Sequence, residues 1–151
     1  MLNKKLTLLL IEDHSGFRKC TREYLEFVMP NVSVIEAGGS EQAFALLKIH
    51  PIELVITDFN LPGMNGIEIT GDLVVKYPGT KIIMMTGHYE EEIVRSAFTA
   101  GIMGFVTKHD SSLDLVDCIE AVMKGGTFVS RSVRLNRLNH HMQEISHHTV
   151  H

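Results

Sequence analysis

Five residues could do chemistry together if the fold collects them: Glu12, Asp13, Asp58, Thr86 and Lys108. Each stands at the carboxyl end of a short apolar run. Three carboxylates brought to one place repel one another and call for a cation. An all-oxygen donor set at an open edge suits Mg²⁺, which keeps several waters and takes one or two carboxylates together with phosphate oxygens. A carboxylate is also a competent nucleophile toward phosphorus and gives an aspartyl phosphate. A lysine ammonium beside it would neutralise an incoming phosphoryl group. A threonine hydroxyl would donate a hydrogen bond to one of that group's oxygens. Alone, a Glu-Asp pair after a strand is usually a solvated turn, and a single Thr or Lys there is incidental. Their joint placement carries the reading.

The elements that must position these groups alternate between two hydrophobic periods. Apolar runs of strand length occur at Leu6–Ile11, Val32–Ala37, Leu54–Thr57, Lys81–Thr86 and Gly104–Thr107. Most are too continuous for half-exposed strands and fit a buried parallel sheet. Between them the spacing is helical. Phe17, Cys20, Tyr24 and Val28 define one face, followed by Ala43, Phe44 and Leu47, then Ile67, Thr70, Leu73 and Val74. Ile93, Val94, Ala97 and Phe98 mark a fourth helix, and Leu115, Ile119, Val122 and Met123 a fifth. Pro30, Pro51 and Pro78 fall where helices must end, Gly101 and Gly125-Gly126 where C-caps belong, and Ser40 at an expected N-cap. Five strand-helix units in a row predict an α/β doubly wound parallel sheet with helices on both faces. Such sheets bind ligands outside the carboxyl ends of the strands, where the strand order reverses. The five residues sit at those ends.

Composition agrees with one globular unit. The chain has 151 residues, 44% hydrophobic and 21% charged, with formal net charge −4. The acidic balance argues against holding nucleic acid by bulk charge, so no direct nucleic-acid binding is expected. Lys4 and Lys5 before Leu6–Ile11 mimic a signal peptide, but the run is short and ends on Glu12-Asp13. No stretch reaches the ~20 apolar residues of a membrane span, and a cytoplasmic protein is expected. Cys20 and Cys118 read as reduced, buried thiols inside helices.

The segment Leu54-Val55-Ile56-Thr57-Asp58-Phe59-Asn60-Leu61-Pro62-Gly63-Met64-Asn65-Gly66 resembles the phosphoacceptor segment of response-regulator receiver domains in two-component signalling. Ile11-Glu12-Asp13-His14 resembles that family's acidic pair, Met84-Met85-Thr86-Gly87 its hydroxyl-bearing strand, and Gly104-Phe105-Val106-Thr107-Lys108 its lysine strand. The resemblance covers residues 5–126. It implies a flavodoxin-like, five-stranded sheet of order 2-1-3-4-5. It makes Asp58 the phosphoacceptor, and Glu12, Asp13, Asp58 and the Asn60 carbonyl the Mg²⁺ ligands. Thr86 and Lys108 would grip the phosphoryl group, and Thr86 and Phe105 would switch together. It implies a signalling switch rather than an enzyme, with a sensor histidine kinase as donor, a downstream protein partner and a phosphorylation-dependent homodimer. Departures are His109 in place of a frequent Pro, Phe105 in place of Tyr, and Asn60 and His88 at positions that tune acyl-phosphate lifetime.

From Gly104 through Val129 the chain resembles the NarL/FixJ-type subgroup, whose receivers join a helix-turn-helix domain of ~60 further residues. The boundary is placed at 129, with 130–151 a His-rich tail or linker stub followed by a short, marginal helix. The tail carries Arg131, Arg134 and Arg137, five histidines, and the apolar thread Val133, Leu135, Leu138, Met142 and Ile145. A solvated or partner-docking extension is the favoured reading. The others are a remnant of an output domain, from Ile145-Ser146-His147-His148-Thr149-Val150, and a metal site at His147 and His151. Two alternative functions stand beside the receiver: a truncated LuxR/NarL-type DNA-binding regulator, and an aspartyl-nucleophile phosphatase. The second is opposed by Asn60, which cannot act as an acid/base two residues past Asp58. No glycine-rich phosphate loop follows the first strand, which argues against a dinucleotide enzyme.

Overall fold

The computed structural model describes residues 4–87 and 89–149. Strands β1 (Leu6–Ile11), β2 (Val32–Ala37), β3 (Leu54–Thr57), β4 (Lys81–Thr86) and β5 (Gly104–Thr107) coincide with the five apolar runs. Helices α1 (Ser15–Val28), α2 (Ser40–Ile49), α3 (Gly66–Lys76), α4 (Glu91–Ala100) and α5 (Ser111–Met123) alternate with them. A two-residue strand β6 (Phe128–Val129) and a helix α6 (Arg131–Thr149) follow.

All pairings are parallel, in the order β2-β1-β3-β4-β5-β6. The expected five-stranded order is thus extended by one strand at the β5 edge. The order reverses between β1 and β3, so their carboxyl ends flank the crevice where ligands bind such sheets. Alternate strand residues feed two cores. Leu8, Leu10, Ile56, Ile83 and Val106 pack with Leu25 of α1 and Leu115, Ile119 and Val122 of α5. Leu9, Ile11, Val55, Met84 and Phe105 pack with Ala43 and Leu47 of α2, Ile69 and Leu73 of α3, and Val94 and Ala97 of α4. Both sheet faces are covered, which is why the strands read as continuous apolar runs.

The helices correct several expectations. In α1 the buried residues are Thr21 and Leu25, with Phe17 and Val28 half-buried, while Cys20 and Tyr24 are exposed. The true stripe is turned from the predicted one because Thr21 and Leu25, four apart, align with Phe17. Cys20 is therefore an exposed thiol, and only Cys118 is buried. In α3, Ile69 is buried and Val74 is exposed. Gly39, one residue before Ser40, is the N-cap of α2, with no side-chain cap bond. Gly101 does end α4, at φ +127°.

The tail differs most. β6 lies before residue 130, and a helix of 19 residues begins at Arg131 where a linker and a short helix were expected. Val133 is fully buried in the same core as Phe105, and Ser130 is buried too. Residues 145–149 continue the helix rather than turning. His151 lies outside the described residues, so the His147–His151 pairing does too. Among the described residues, no helix is long and apolar enough to cross a membrane.

Candidate functional site

The β1 and β3 ends deliver the acidic groups. The Glu12 N–H bonds Ala37 O at 3.0 Å, and the Asp58 N–H bonds Ile11 O at 3.0 Å, so the ladder fixes both backbones one residue past their strands. Arg18 Nη1 donates to the Glu12 carbonyl at 2.6 Å, and its Nε donates to Glu36 Oε1 at 2.9 Å. That clamp ties α1 and β2 to the turn carrying the acidic pair.

The β3–α3 loop is held as tightly. Gly63 takes φ +81°, a left-handed conformation that favours glycine. The Asn65 side chain caps α3 by accepting from the N–H groups of Ile67 and Glu68, each at 2.9 Å, and Glu68 reaches back to the Asn65 N–H in a capping box. The Gly66 N–H bonds Phe59 O at 2.9 Å. A Cβ on Gly66 would run into the Asp58 carbonyl, so the helix start can lie against the site only as glycine.

At the centre, Lys108 Nζ donates to Asp58 Oδ2 at 2.9 Å and also bonds Glu12. It stands 4.7 Å from the Phe17 ring centroid. The Asn60 N–H reaches Asp58 Oδ1 at 3.3 Å. Glu12 and Asp58 are buried and Asp13 is exposed, and oxygens of all three lie within 4.8 Å of one another. Burial pushes the Glu12 carboxyl up to about 7, against the opposing bond from Lys108 and with help from the neighbouring Asp58. Burial also acts on Asp58, but bonds from Lys108, Glu12 and Thr86 outweigh it and hold that carboxyl below its ordinary value. Burial would lower Lys108, yet its bonds to Glu12 and Asp58 hold it above its ordinary value.

The donor set fits a hard divalent cation. Glu12 Oε2 is buried with no hydrogen-bond partner in a cluster of three carboxylates, and an oxygen-binding ion would satisfy it. Lys108, whose ammonium reaches Glu12 and Asp58, leaves this oxygen unserved.

Thr86, fully buried at the end of β4, bonds Asp58. Phe105 is fully buried and points into the core, with the Tyr89 ring 6.3 Å from it in a tilted arrangement. His109 is exposed, and His88 lies outside the described residues. The five residues named from the strand ends are thus gathered at one edge of the sheet.

Sequence reasoning missed the groups that join this edge to the tail. Asp110 stands where an N-cap for α5 is expected but makes no such bond. It accepts instead from Ser130 Oγ at 2.7 Å and from the N–H and hydroxyl of Ser132 at 2.9 and 2.7 Å. Asp114 accepts from the Arg131 N–H and guanidinium, each at 2.8 Å. Both carboxylates serve the N-terminus of α6, where negative charge is favoured. Further along, Asn136 Nδ2 donates to the Tyr89 hydroxyl at 3.1 Å, and Arg137 pairs with Glu91 at 2.9 Å. The run of Ser130, Ser132 and basic residues was a visible cap signal, but its partners lie some twenty residues upstream.

An acidic crevice at the switch point of a 2-1-3-4-5 sheet, with a lysine across from a strand-end aspartate, defines a receiver-type phosphoacceptor fold. The profile of the response regulator receiver domain matches residues 8–120, and the chain belongs to that family. Its relatives include the transcriptional regulatory protein DegU of Brevibacillus brevis, 26% identical over 94% of this chain and 60% of that protein. Another is the transcriptional activator protein ExaE of Pseudomonas putida, 30% identical over 82% of this chain and 58% of that one. The chain thus spans about three fifths of the length of these curated relatives. Among solved structures, a LuxR-family two-component response regulator from Aurantimonas sp. SI85-9A1 superposes with TM-score 0.81 at 29% identity, covering 98% of this chain and 100% of that one. Phosphorylation and Mg²⁺ binding are general properties of the family.

Proposed function

We propose that Asp58 is the phosphoacceptor of a signalling switch charged by a sensor histidine kinase. The observation that carries this is the Asp58 carboxylate at the end of β3, 2.9 Å from Lys108 Nζ and beside Glu12 and Asp13. An Asp58 oxygen would attack phosphorus, the bond from phosphorus to the donor's imidazole nitrogen would break, and an acyl phosphate would remain on Asp58. Glu12, Asp13, Asp58 and the Asn60 carbonyl would hold Mg²⁺, which when bound screens negative charge between carboxylates and phosphoryl oxygens. Lys108 would leave its carboxylate contact for a phosphoryl oxygen, and the Thr86 hydroxyl would donate to another.

Thr86, Phe105 and Tyr89 form the path to the surface. If Thr86 follows the phosphoryl group, the space beside Phe105 changes, and Tyr89 and Asn136 stand next to it. Membership of the receiver family supports a switch rather than a turnover enzyme, and in this reading the switch acts in the cytoplasm on a downstream protein. The names of the relatives point to transcription as the output of those longer proteins, and a gel shift with the intact gene product would test whether this chain shares it.

Intact mass after incubation with Mg²⁺ and acetyl phosphate tests the assignment. The chain should gain one phosphoryl mass, and Asp58→Ala should gain none. Uptake that persists in Asp58→Ala overturns it.

A further inference from the structure

The three arginines of the tail divide between two tasks. Arg131 pairs with Asp114 at the start of α6. Arg134 and Arg137, three residues apart, share one face of that helix. On α4, Arg95 and Thr99 are four apart and share a face too. Together with β6, these two rows line a groove of about 720 Å³. Phe98 and Phe128, both half-buried, supply its apolar part. The groove has no residue in common with the acidic crevice.

Every charged residue lining the groove is an arginine, in a chain whose net charge is −4. Arg137 is matched by Glu91 at 2.9 Å. Arg95 acts on that same carboxylate through space without bonding it. Arg134 has no carboxylate partner among the described residues and sets its guanidinium 5.5 Å from the Phe128 ring centroid. One negative charge thus faces three positive ones. The surplus calls for an anion, and the guanidinium fork matches phosphate oxygens in particular. The aromatic part calls for a ring, since nucleobases stack on such faces. We propose that this groove binds a nucleoside phosphate, with Arg95 and Arg134 on the phosphate oxygens and the base against Phe128. Arg134 would give up only a weak contact with the ring. By moving to a phosphate it would open the Phe128 face to the base.

Size and shape of charge separate this ligand from larger ones. Small-molecule sites occupy roughly 300–1,000 Å³, and the groove falls inside that range. A nucleic-acid strand needs a long basic track and releases many counterions, whereas the positive charge here is local and the chain is acidic. An acidic peptide would satisfy the arginines but makes no use of the aromatic face.

Amide shifts of the isotope-labelled whole chain, titrated in EDTA with ADP, UDP, adenosine and inorganic pyrophosphate, test this independently of the Asp58 assignment. ADP or UDP should shift Thr99, Thr127 and Phe128 saturably, and adenosine and pyrophosphate should bind more weakly than either. Arg95→Ala and Arg134→Ala should each weaken nucleotide binding about tenfold or more, the size of a lost charge-assisted bond. Phe128→Leu should weaken the nucleotides and leave pyrophosphate unchanged, with folding of every variant checked by circular dichroism. No saturable shift at these residues with either nucleotide overturns the proposal. So does pyrophosphate bound as tightly as the nucleotides, which would mark a site for an adventitious ion only. Nucleotide affinity that both arginine variants retain overturns it as well.

Discussion

The ammonium of Lys108 lies 2.9 Å from the Asp58 carboxylate and also bonds Glu12, so one cation bridges the ends of β1 and β3. Lys108 thereby fills part of the role of a metal ion in the resting site. Lys108→Ala leaves two buried carboxylates facing each other. Breaking a buried pair from one side is destabilising, and with Lys108 partly exposed the cost should be about 1–3 kcal/mol in EDTA. Saturating Mg²⁺ should restore more stability to the variant than it adds to the parent, because binding to the folded state is stabilising by mass action. Urea unfolding of both proteins, with EDTA and with Mg²⁺, measures it. Equal Mg²⁺ effects would remove Lys108 from competition with the ion.

Glu12 gives the site a pH dependence with a definite sign. Its folded-state value is raised from 4.5 to about 7 by burial. Between those values the folded chain holds a proton that the unfolded chain releases, so stability falls as pH rises through the window. The slope is bounded by ~1.4 kcal/mol per pH unit. Asp58 is shifted downward and Lys108 upward, so their contributions change outside this window. Denaturation midpoints in EDTA should fall from about pH 5 to about pH 7, and Glu12→Gln should flatten that fall. Mg²⁺ affinity should climb over the same range, because the ion displaces the proton.

Gly66→Ala tests how the β3–α3 loop is held. The new Cβ would strike the Asp58 carbonyl, a backbone atom that cannot rotate away, and would press on Met84. Gly66 does not take a positive φ, so close approach rather than backbone freedom demands glycine. The variant should lose ~2–3 kcal/mol, as overpacked sites do, and should take up phosphoryl from acetyl phosphate more slowly than the parent. A variant with parental stability and uptake would show that the loop shifts freely.

The strands were legible because both sheet faces are covered, which writes each strand as an unbroken apolar run. The site was legible because Glu12, Asp13, Asp58, Thr86 and Lys108 each follow such a run directly. Helix faces were harder: in α1, Cys20 and Tyr24 fit the apolar spacing, but Thr21 and Leu25 are the buried residues. A buried threonine such as Thr21 is invisible to a polarity pattern. The tail was least legible, since its order comes from Asp110 and Asp114, far upstream, and no local period announces such bonds.

That remote capping makes a last prediction about where the folding unit ends. Asp110 is buried and accepts three hydrogen bonds from Ser130 and Ser132, which hold its carboxyl below the ordinary value despite burial. Bonds to a charged acceptor contribute about 1.5–3 kcal/mol each when singly removed, and they are not additive. Asp110→Ala would also strip the buried Ser130 hydroxyl of its acceptor, so a total loss of ~2–4 kcal/mol is expected. Because the folded value is depressed, this contribution is complete above the ordinary aspartate value and fades as pH falls toward the folded one. Val133→Ala should cost ~1–2 kcal/mol by opening a cavity in the core that Val133 shares with Phe105. Both losses should appear in urea unfolding of the whole domain as one transition, because Val133 shares its core with β3, β4 and α4. Correspondingly, a chain stopped after Val129 should unfold at lower urea than one stopped after Leu138. Equal midpoints would return α6 to the status of an appended tail; a lower one for the shorter chain would place its first turns inside the receiver.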